Sequence, residues 1–546
     1  MVFPMLLLVT ASDADTDSVE DQASYFLKHA GDNASVKCGT PQLIKLLLED
    51  TGVETTFKPA VYERLARPDM PYYADSQEGH FRIHYEREGN NAPDLTDNDN
   101  NNIPDFADSA LVYLEMAWEM IVVDLGYGKP ISDGTRGGGI DLIDCYFQDL
   151  TNRPQPLYGY TSPDANHSGS VSSYLVLDND FSGGSYPTNG YDALKITSAH
   201  EFFHVVHYTY LGVTESIWWM EHSAVWFEDY AWDDINDYLN YVSTIYSNRD
   251  LPLDTQNGSF EYGASLFAFY IAKNYGTDYI RHIWNAFKNT QSGKIETLNT
   301  VLPDGLSDAI SDLAVWMYFT NERADSENFF TDAELIDESV EPERVMTYNS
   351  SVDSINFHQY TFNYVDIVPK NGFAYGDSIH FHFTDRNNGL WDDKVILYNS
   401  PDNYKIMNVS ALNPSVFVER PFDKAVLVIA NVSDQNKTFR YVYSYDITTS
   451  NGVNEKTIPV PLALHQNYPN PFNTSTTISW SLLNSGDISL KVYNLQGQVV
   501  QTLEDGFMTS GIYYRMFDAG DLSSGVYFIV LESDGMTLKS RMTYVK

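Results

Sequence analysis

The chain has 546 residues, enough for about three to four domains at roughly 150 residues each. Lys and Arg number 33 against 75 Asp and Glu, a net charge of −42 that repels phosphate backbones and excludes nucleic acid as the main partner. A hydrophobic content of 43% with 14% aromatics excludes a disordered chain, and two cysteines cannot build a disulfide scaffold.

In chain order, Phe3 to Val9 is a short apolar run followed by Thr10-Ala11-Ser12, as at the end of a secretory signal peptide. The basic start of such a peptide is missing, so residues 1–16 read either as a signal-peptide remnant or as an apolar tail. Residues 17–78 form a separate unit, taken as a pro-segment, with a short amphipathic helix over Gln42 to Leu48. His80 to Tyr85 alternates as a strand, and Asp105 to Leu125 has helical spacing. Ile140 to Phe147 and Ser173 to Leu177 are further strands. Lys195 to Tyr210, Trp218 to Tyr230, Tyr262 to Tyr275 and Asp308 to Phe319 are helical. Strands followed by helices predict an α+β domain over 79–335. From 340 to 450, short alternating runs such as Tyr364 to Val368, Ile379 to Phe383, Val395 to Tyr398 and Ala425 to Ile429 predict a β-sandwich. A polar linker over Thr448 to Pro461 leads to a second all-β unit over 463–546. No apolar run reaches the length of a transmembrane segment.

The chemistry concentrates in His200-Glu201-Phe202-Phe203-His204. Histidines four apart lie about 40° apart on one helical face, so both rings can reach one zinc ion. Glu201 can take a proton from a water at that ion. The third ligand is expected at Glu221, 17 residues after His204, on the next helix. Small Ala224, one turn on, lets the two helices approach. His207 shares the face of the other histidines but lies about 10.5 Å along the axis from His200, too far for the same ion. It is either a wall of the site or a plain surface histidine. Glu228, two turns after Glu221, either orients a ligand histidine or is a solvated charge. Tyr262 is the candidate donor to the scissile carbonyl, with a core tyrosine as the other reading. The strand Tyr174 to Leu177 is the candidate edge for an extended substrate.

A second cation signal runs from Asp97 to Asp108. Asp97, Asp99, Asn101, Asp105 and Asp108, with the Ile103 carbonyl, occupy the ligand positions of an EF-hand loop. Oxygen-only ligands suit calcium in a structural role, and Asn102 stands at the sharp turn. The alternative is a polar loop without an ion.

Trp218-x-x-Glu221-x-x-Ala224-x-x-x-Glu228, following the His-Glu-x-x-His motif, resembles the gluzincin metallopeptidases. There a Glu on the following helix completes a His/His/Glu zinc site. Met220 and His222 depart from the Asn and Gly that flank this Glu in the aminopeptidase branch, and that branch's Gly-x-Met-Glu-Asn amine-binding motif is absent. Phe260-Glu261-Tyr262-Gly263-Ala264 resembles its Tyr-Glu-Lys-Gly-Ala stretch, with the catalytic Tyr falling on Phe260. Leu194 through Glu228, preceded by Asp178-Asn179-Asp180-Phe181, is similar to a family of secreted bacterial zinc metalloproteases. The likeness covers about 79–335. Lys37-Cys38-Gly39-Thr40-Pro41 resembles the cysteine switch of matrix metalloproteinase propeptides, in which a thiolate fills the open zinc position. A Cys38–Cys145 disulfide and a buried thiol are the other readings. Finally, His465 to Asn473, Val492 to Gln498 and Ser524 to Phe528 resemble the type A sorting domain of the type IX secretion system. This implies partnership with that machinery, and secretion or cell-surface display by a Gram-negative bacterium. The expected protein is a secreted zinc endopeptidase acting on protein or peptide substrates. An aminopeptidase and a non-catalytic adhesin on the same scaffold are the rivals.

Overall fold

The computed structural model describes residues 37–41, 43–44, 67–449 and 462–546, less 139, 152–155, 168–169, 184–185, 212–215, 347–352, 386–388, 436, 465–466, 468–469, 483–485, 509–510, 521 and 534. The signal-like run and most of the expected pro-segment, including 45–66, lie outside them.

The first body is a five-stranded mixed sheet under helices. Its strands are β1 (Tyr72–Asp75), β2 (Phe81–Tyr85), β3 (Ile143–Gln148), β4 (Gly159–His167) and β5 (Ser170–Asp178), in the order β1-β2-β3-β5-β4. β2, β3 and β5 run parallel, whereas β4 pairs antiparallel with β5 along one edge. The expected substrate edge, Tyr174 to Leu177, is therefore interior. The edge strand on that side is β4, which has few β-branched residues and carries Pro163, whose missing N–H an edge strand tolerates. Its register shifts at Pro163/Ala165.

Two helices cover the sheet and a third packs on them. α1 (Asp105–Trp118) continues as a wider π-type turn over Glu119–Asp124, with Leu125 N–H bonded to the Met120 carbonyl. α2 (Gly190–Leu211) packs on β5, β4 and α1, and α3 (Ile217–Ala231) packs on α2. Every side of the α2 centre is buried, polar and apolar residues alike, as expected of a helix enclosed by sheet and helices. α3 buries Trp218, Trp219, Met220, Val225 and Phe227. Each is worth about 1.5–3 kcal/mol, against which the buried polar groups of the site are set. The expected helix from Tyr262 to Tyr275 is split into Phe260–Gly263 and Leu266–Tyr275. A further amphipathic helix, Asp278–Thr290, buries Ile280, Ile283, Trp284 and Phe287.

A five-stranded and a four-stranded antiparallel-rich sheet follow between Arg344 and Thr448, around a core of Val365, Ile367, Phe381, Val395, Leu427 and Tyr443. The outer face of the larger sheet meets the helix Gly305–Tyr318: Tyr364 donates to the Ala314 carbonyl at 2.7 Å and Ser311 to Asp392 at 2.5 Å. A three-stranded and a four-stranded sheet between Ala463 and Tyr544 enclose a separate core around Trp480, Leu490 and Ile529. The chain is thus multidomain: a mixed α/β body followed by two β-sheet domains. No helix among the described residues is long and apolar enough to cross a membrane.

Candidate metal centre

α2 carries His200 and His204 one turn apart, and α3 brings Glu221 against them. The two Nε2 atoms are 3.0 Å apart, Glu221 Oε1 is 3.1 Å from His204 Nε2, and Oε2 is 3.4 Å from His200 Nε2. Cys38 adds Sγ at 3.5 Å from His204 Nε2. All four ligand atoms lie within 4.8 Å of one another, and all four residues are buried. A tetrahedral ion with bonds of about 2.0–2.3 Å separates its ligand atoms by roughly 3.2–3.8 Å, close to these spacings.

The tautomers sharpen the fit. His200 Nδ1 is 2.6 Å from Glu228 Oε1 and donates to it, which leaves the Nε2 lone pair facing the cluster. His204 Nδ1 lies 3.3 Å from His207 Nδ1, and His207 Nε2 lies 3.3 Å from Ser223 Oγ, which donates to the Trp219 carbonyl at 2.6 Å. One consistent direction runs along this chain. His204 Nδ1–H donates to His207, His207 Nε2–H donates to Ser223, and the His204 Nε2 lone pair is left on the cluster. Burial lowers the pKa of all three histidines, His204 to about 4, so they are neutral near pH 7. Neither Glu221 oxygen receives a hydrogen bond. Lone pairs of two imidazoles and a carboxylate converging in a buried site repel unless a cation lies among them. Burial, with Glu201 and Glu221 nearby, pushes the Cys38 thiol well up, so a thiolate there needs the same cation. The residues therefore fit a zinc ion.

Glu201 lies beside the cluster. Its Oε2 accepts from Thr161 Oγ1 at 2.8 Å and Thr40 Oγ1 at 3.2 Å. The Thr161 hydroxyl, on β4, lies equally close to the Glu201 carbonyl at 2.8 Å, so its one proton is shared between the two oxygens and ties Glu201 to the edge strand. Gly159 is required where β4 meets α2. A Cβ there would stand 2.8 Å from the Val176 carbonyl oxygen and 2.9 Å from Glu201 Cγ and Thr197 Cγ2. Residues 37–39 run parallel to β4, with Tyr158 N–H donating to the Lys37 carbonyl at 3.1 Å and Gly39 N–H to the Gly159 carbonyl at 2.9 Å.

Tyr262 is buried. Its hydroxyl accepts from Cys38 N–H at 3.1 Å and lies 3.3 Å from the Cys38 carbonyl, so it reaches the segment that enters the cluster. His207 is buried and stacks on Trp284 with centroids 4.3 Å apart, which rules out a surface role. Cys38 and Cys145 are both free thiols, which corrects the disulfide reading: Cys38 lies at the cluster and Cys145 in the hydrophobic core. Spacing alone does not reveal Thr161, Gly159, Ser223 or Trp284. The contacts that bring them to the site cross at least 16 positions.

The Asp97–Asp108 loop brings Asp97, Asp99 and Asp105 together, with one oxygen of each within 4.8 Å of the others. Asn101 N–H donates to Asp97 and Asp99, and its side-chain amide to Asp108 at 2.8 Å. Asp108 is thus tied to the group through Asn101. Ile103 N–H donates to Asn101 Oδ1 at 2.7 Å. Asn102 has φ +69°, the left-handed turn expected at that position.

The secretion system C-terminal sorting domain family matches residues 466–544. The protein is therefore exported by the type IX secretion machinery to the cell surface or beyond. No curated protein matches the chain. Among solved structures, a β-1,2-glucanase from Parabacteroides distasonis is 12% identical, covers 34% of this chain and 30% of its own length, and has a TM-score of 0.13. The adhesin domain of Epf from Streptococcus pyogenes is 9% identical over 35% of this chain and 76% of its own, also at 0.13. Likenesses this low assign neither fold nor activity.

Proposed function

We propose that the protein is a secreted zinc-dependent endopeptidase of gluzincin type, held latent by its own residues 37–41. The observation that carries this reading is the convergence of His200, His204, Glu221 and Cys38 with Glu201 alongside. Zinc, when bound by the two histidines and Glu221, supplies Lewis acidity toward a water and the scissile carbonyl. Glu201, aligned by Thr161, takes the proton of the attacking water and passes it to the leaving amine. The Tyr262 hydroxyl is the donor available to the developing oxyanion once residues 37–41 depart. In the latent state Cys38 fills the open ligand position and Thr40 occupies the base. The Asp97–Asp108 loop takes calcium as a structural ion before α1.

Peptide-library cleavage by full-length wild type, Cys38→Ser and Cys38→Ser/Glu201→Gln tests this. Cys38→Ser is expected to cleave internal bonds at least tenfold faster than wild type. Cys38→Ser/Glu201→Gln is expected to fall by roughly 10²–10⁴-fold. Equal rates with and without Glu201 overturn the reading.

A further inference from the structure

Lys37, next to the thiol, is buried with its ammonium between two carboxylates. Nζ lies 2.5 Å from Glu228 Oε2 and pairs with Asp237 Oδ2. It also lies over the rings of Tyr241 and Tyr158, 5.1 and 5.9 Å from their centroids. The carboxylates are held independently of Lys37. Asp237 Oδ1 accepts from Thr188 Oγ1 at 2.5 Å and from Asn240 Nδ2 at 3.2 Å, and Glu228 Oε1 takes His200 Nδ1–H. The pocket wall thus consists of Tyr158, Thr188, Glu228, Asp237 and Tyr241, all from the main body. Only the occupant comes from the N-terminal segment. That occupant arrives on an extended backbone paired with the edge strand, and its next residue points into the metal cluster.

We propose that the Glu228/Asp237 pocket is the specificity pocket of this site, and that it takes a lysine or arginine side chain of a peptide lying along β4, next to the residue that faces His200, His204 and Glu221. Lys37 fills the pocket in the latent chain as such a side chain would. A cationic head group pairs with both acidic side chains on this fixed frame, and a neutral side chain forfeits that pairing. The aromatic walls suit the apolar stem of a long cationic side chain. The inference rests on the endopeptidase reading for its substrate, but the pocket can be tested without catalysis.

The test uses full-length protein carrying Lys37→Ser and Cys38→Ser, which removes the two side chains that hold the resident segment in the pocket and the cluster, with and without Asp237→Asn. The first readout is fluorescence anisotropy of a labelled peptide copying Ser35 to Pro41, with serine in place of Cys38 and either lysine or glutamine at the Lys37 position. The lysine peptide is expected to bind at least tenfold tighter, and Asp237→Asn to reduce that ratio toward one. The second readout is library cleavage, with Lys and Arg enriched at one position flanking the cut. Equal binding of the two peptides, or binding of neither, overturns the pocket, and this comparison does not depend on the Asp237 variant folding. Tighter lysine binding with no cleavage upholds the pocket and overturns the endopeptidase reading. Cleavage without basic enrichment, together with equal binding, does the reverse.

Discussion

The two candidate cation sites are built in opposite ways. The His200/His204/Glu221 cluster is buried, and its groups are held mostly by partners from other elements: Glu228 for His200, His207 and through it Ser223 for His204, and the 37–41 segment for the open face. The Asp97–Asp108 loop is exposed and organised by its own backbone, with donors two to seven residues from their acceptors. The first arrangement makes ligand geometry a property of the fold, whereas the second makes it a property of twelve residues. A loss at the first site should therefore spread, and a loss at the second should stay local.

The largest expected effect breaks the comparison at its strong side. Glu221→Ala should lower zinc affinity by more than about 100-fold, beyond the 10–100-fold that outer partners carry. Asp97→Asn/Asp99→Asn should leave zinc content unchanged but abolish a calcium-dependent rise in melting temperature, a stabilisation of about 2.7 kcal/mol at 100 times Kd. Metal analysis and thermal melts of both variants read these outcomes together. Loss of zinc from the loop variant would join the two sites.

A second variant sharpens the reach of the buried site. His207→Phe keeps a ring against Trp284 but removes the acceptor of His204 Nδ1–H. Zinc affinity, measured by chelator competition, should fall about 10–100-fold with melting temperature little changed. Unchanged affinity would reduce His207 to packing.

A further comparison concerns pH. Burial, with Asp332, Asp233 and Glu228 nearby, raises Asp229 to about 8. A carboxyl raised on folding favours the folded state below its unfolded value near 3.8, and that contribution is lost as pH rises through about 8. Asp229→Asn should therefore gain melting temperature relative to wild type progressively from pH 4 to 8. Exposed Asp94, just ahead of the loop, is shifted the other way by its bonds to Thr96 and should show no such gain on substitution. A pH-independent difference for Asp229→Asn would contradict the assignment.

The sequence was legible where chemistry is local. The four-residue spacing of His200 and His204 predicts their shared helical face, and the alternating Asp/Asn positions predict the loop that gathers Asp97, Asp99 and Asp105. The β-rich C-terminal domains were legible from alternation. β4 was not, because an edge strand with a proline and few β-branched residues lacks that pattern. Glu228 was legible as a helix neighbour of Glu221, two turns on. Thr161, Gly159 and Ser223 were not, because only the packing of β4 and α3 on α2 brings them to the site. The Lys37–Asp237 pair spans 200 positions, and nothing in either local sequence signals the other.

The most direct measurement is zinc K-edge X-ray absorption of zinc-loaded full-length protein, beside Cys38→Ser. The expected spectrum has one sulfur near 2.3 Å and three nitrogen or oxygen ligands at about 2.0–2.1 Å, with the sulfur absent from the variant. No bound zinc, or a wild-type shell of nitrogen and oxygen only, would contradict a metal centre closed by Cys38.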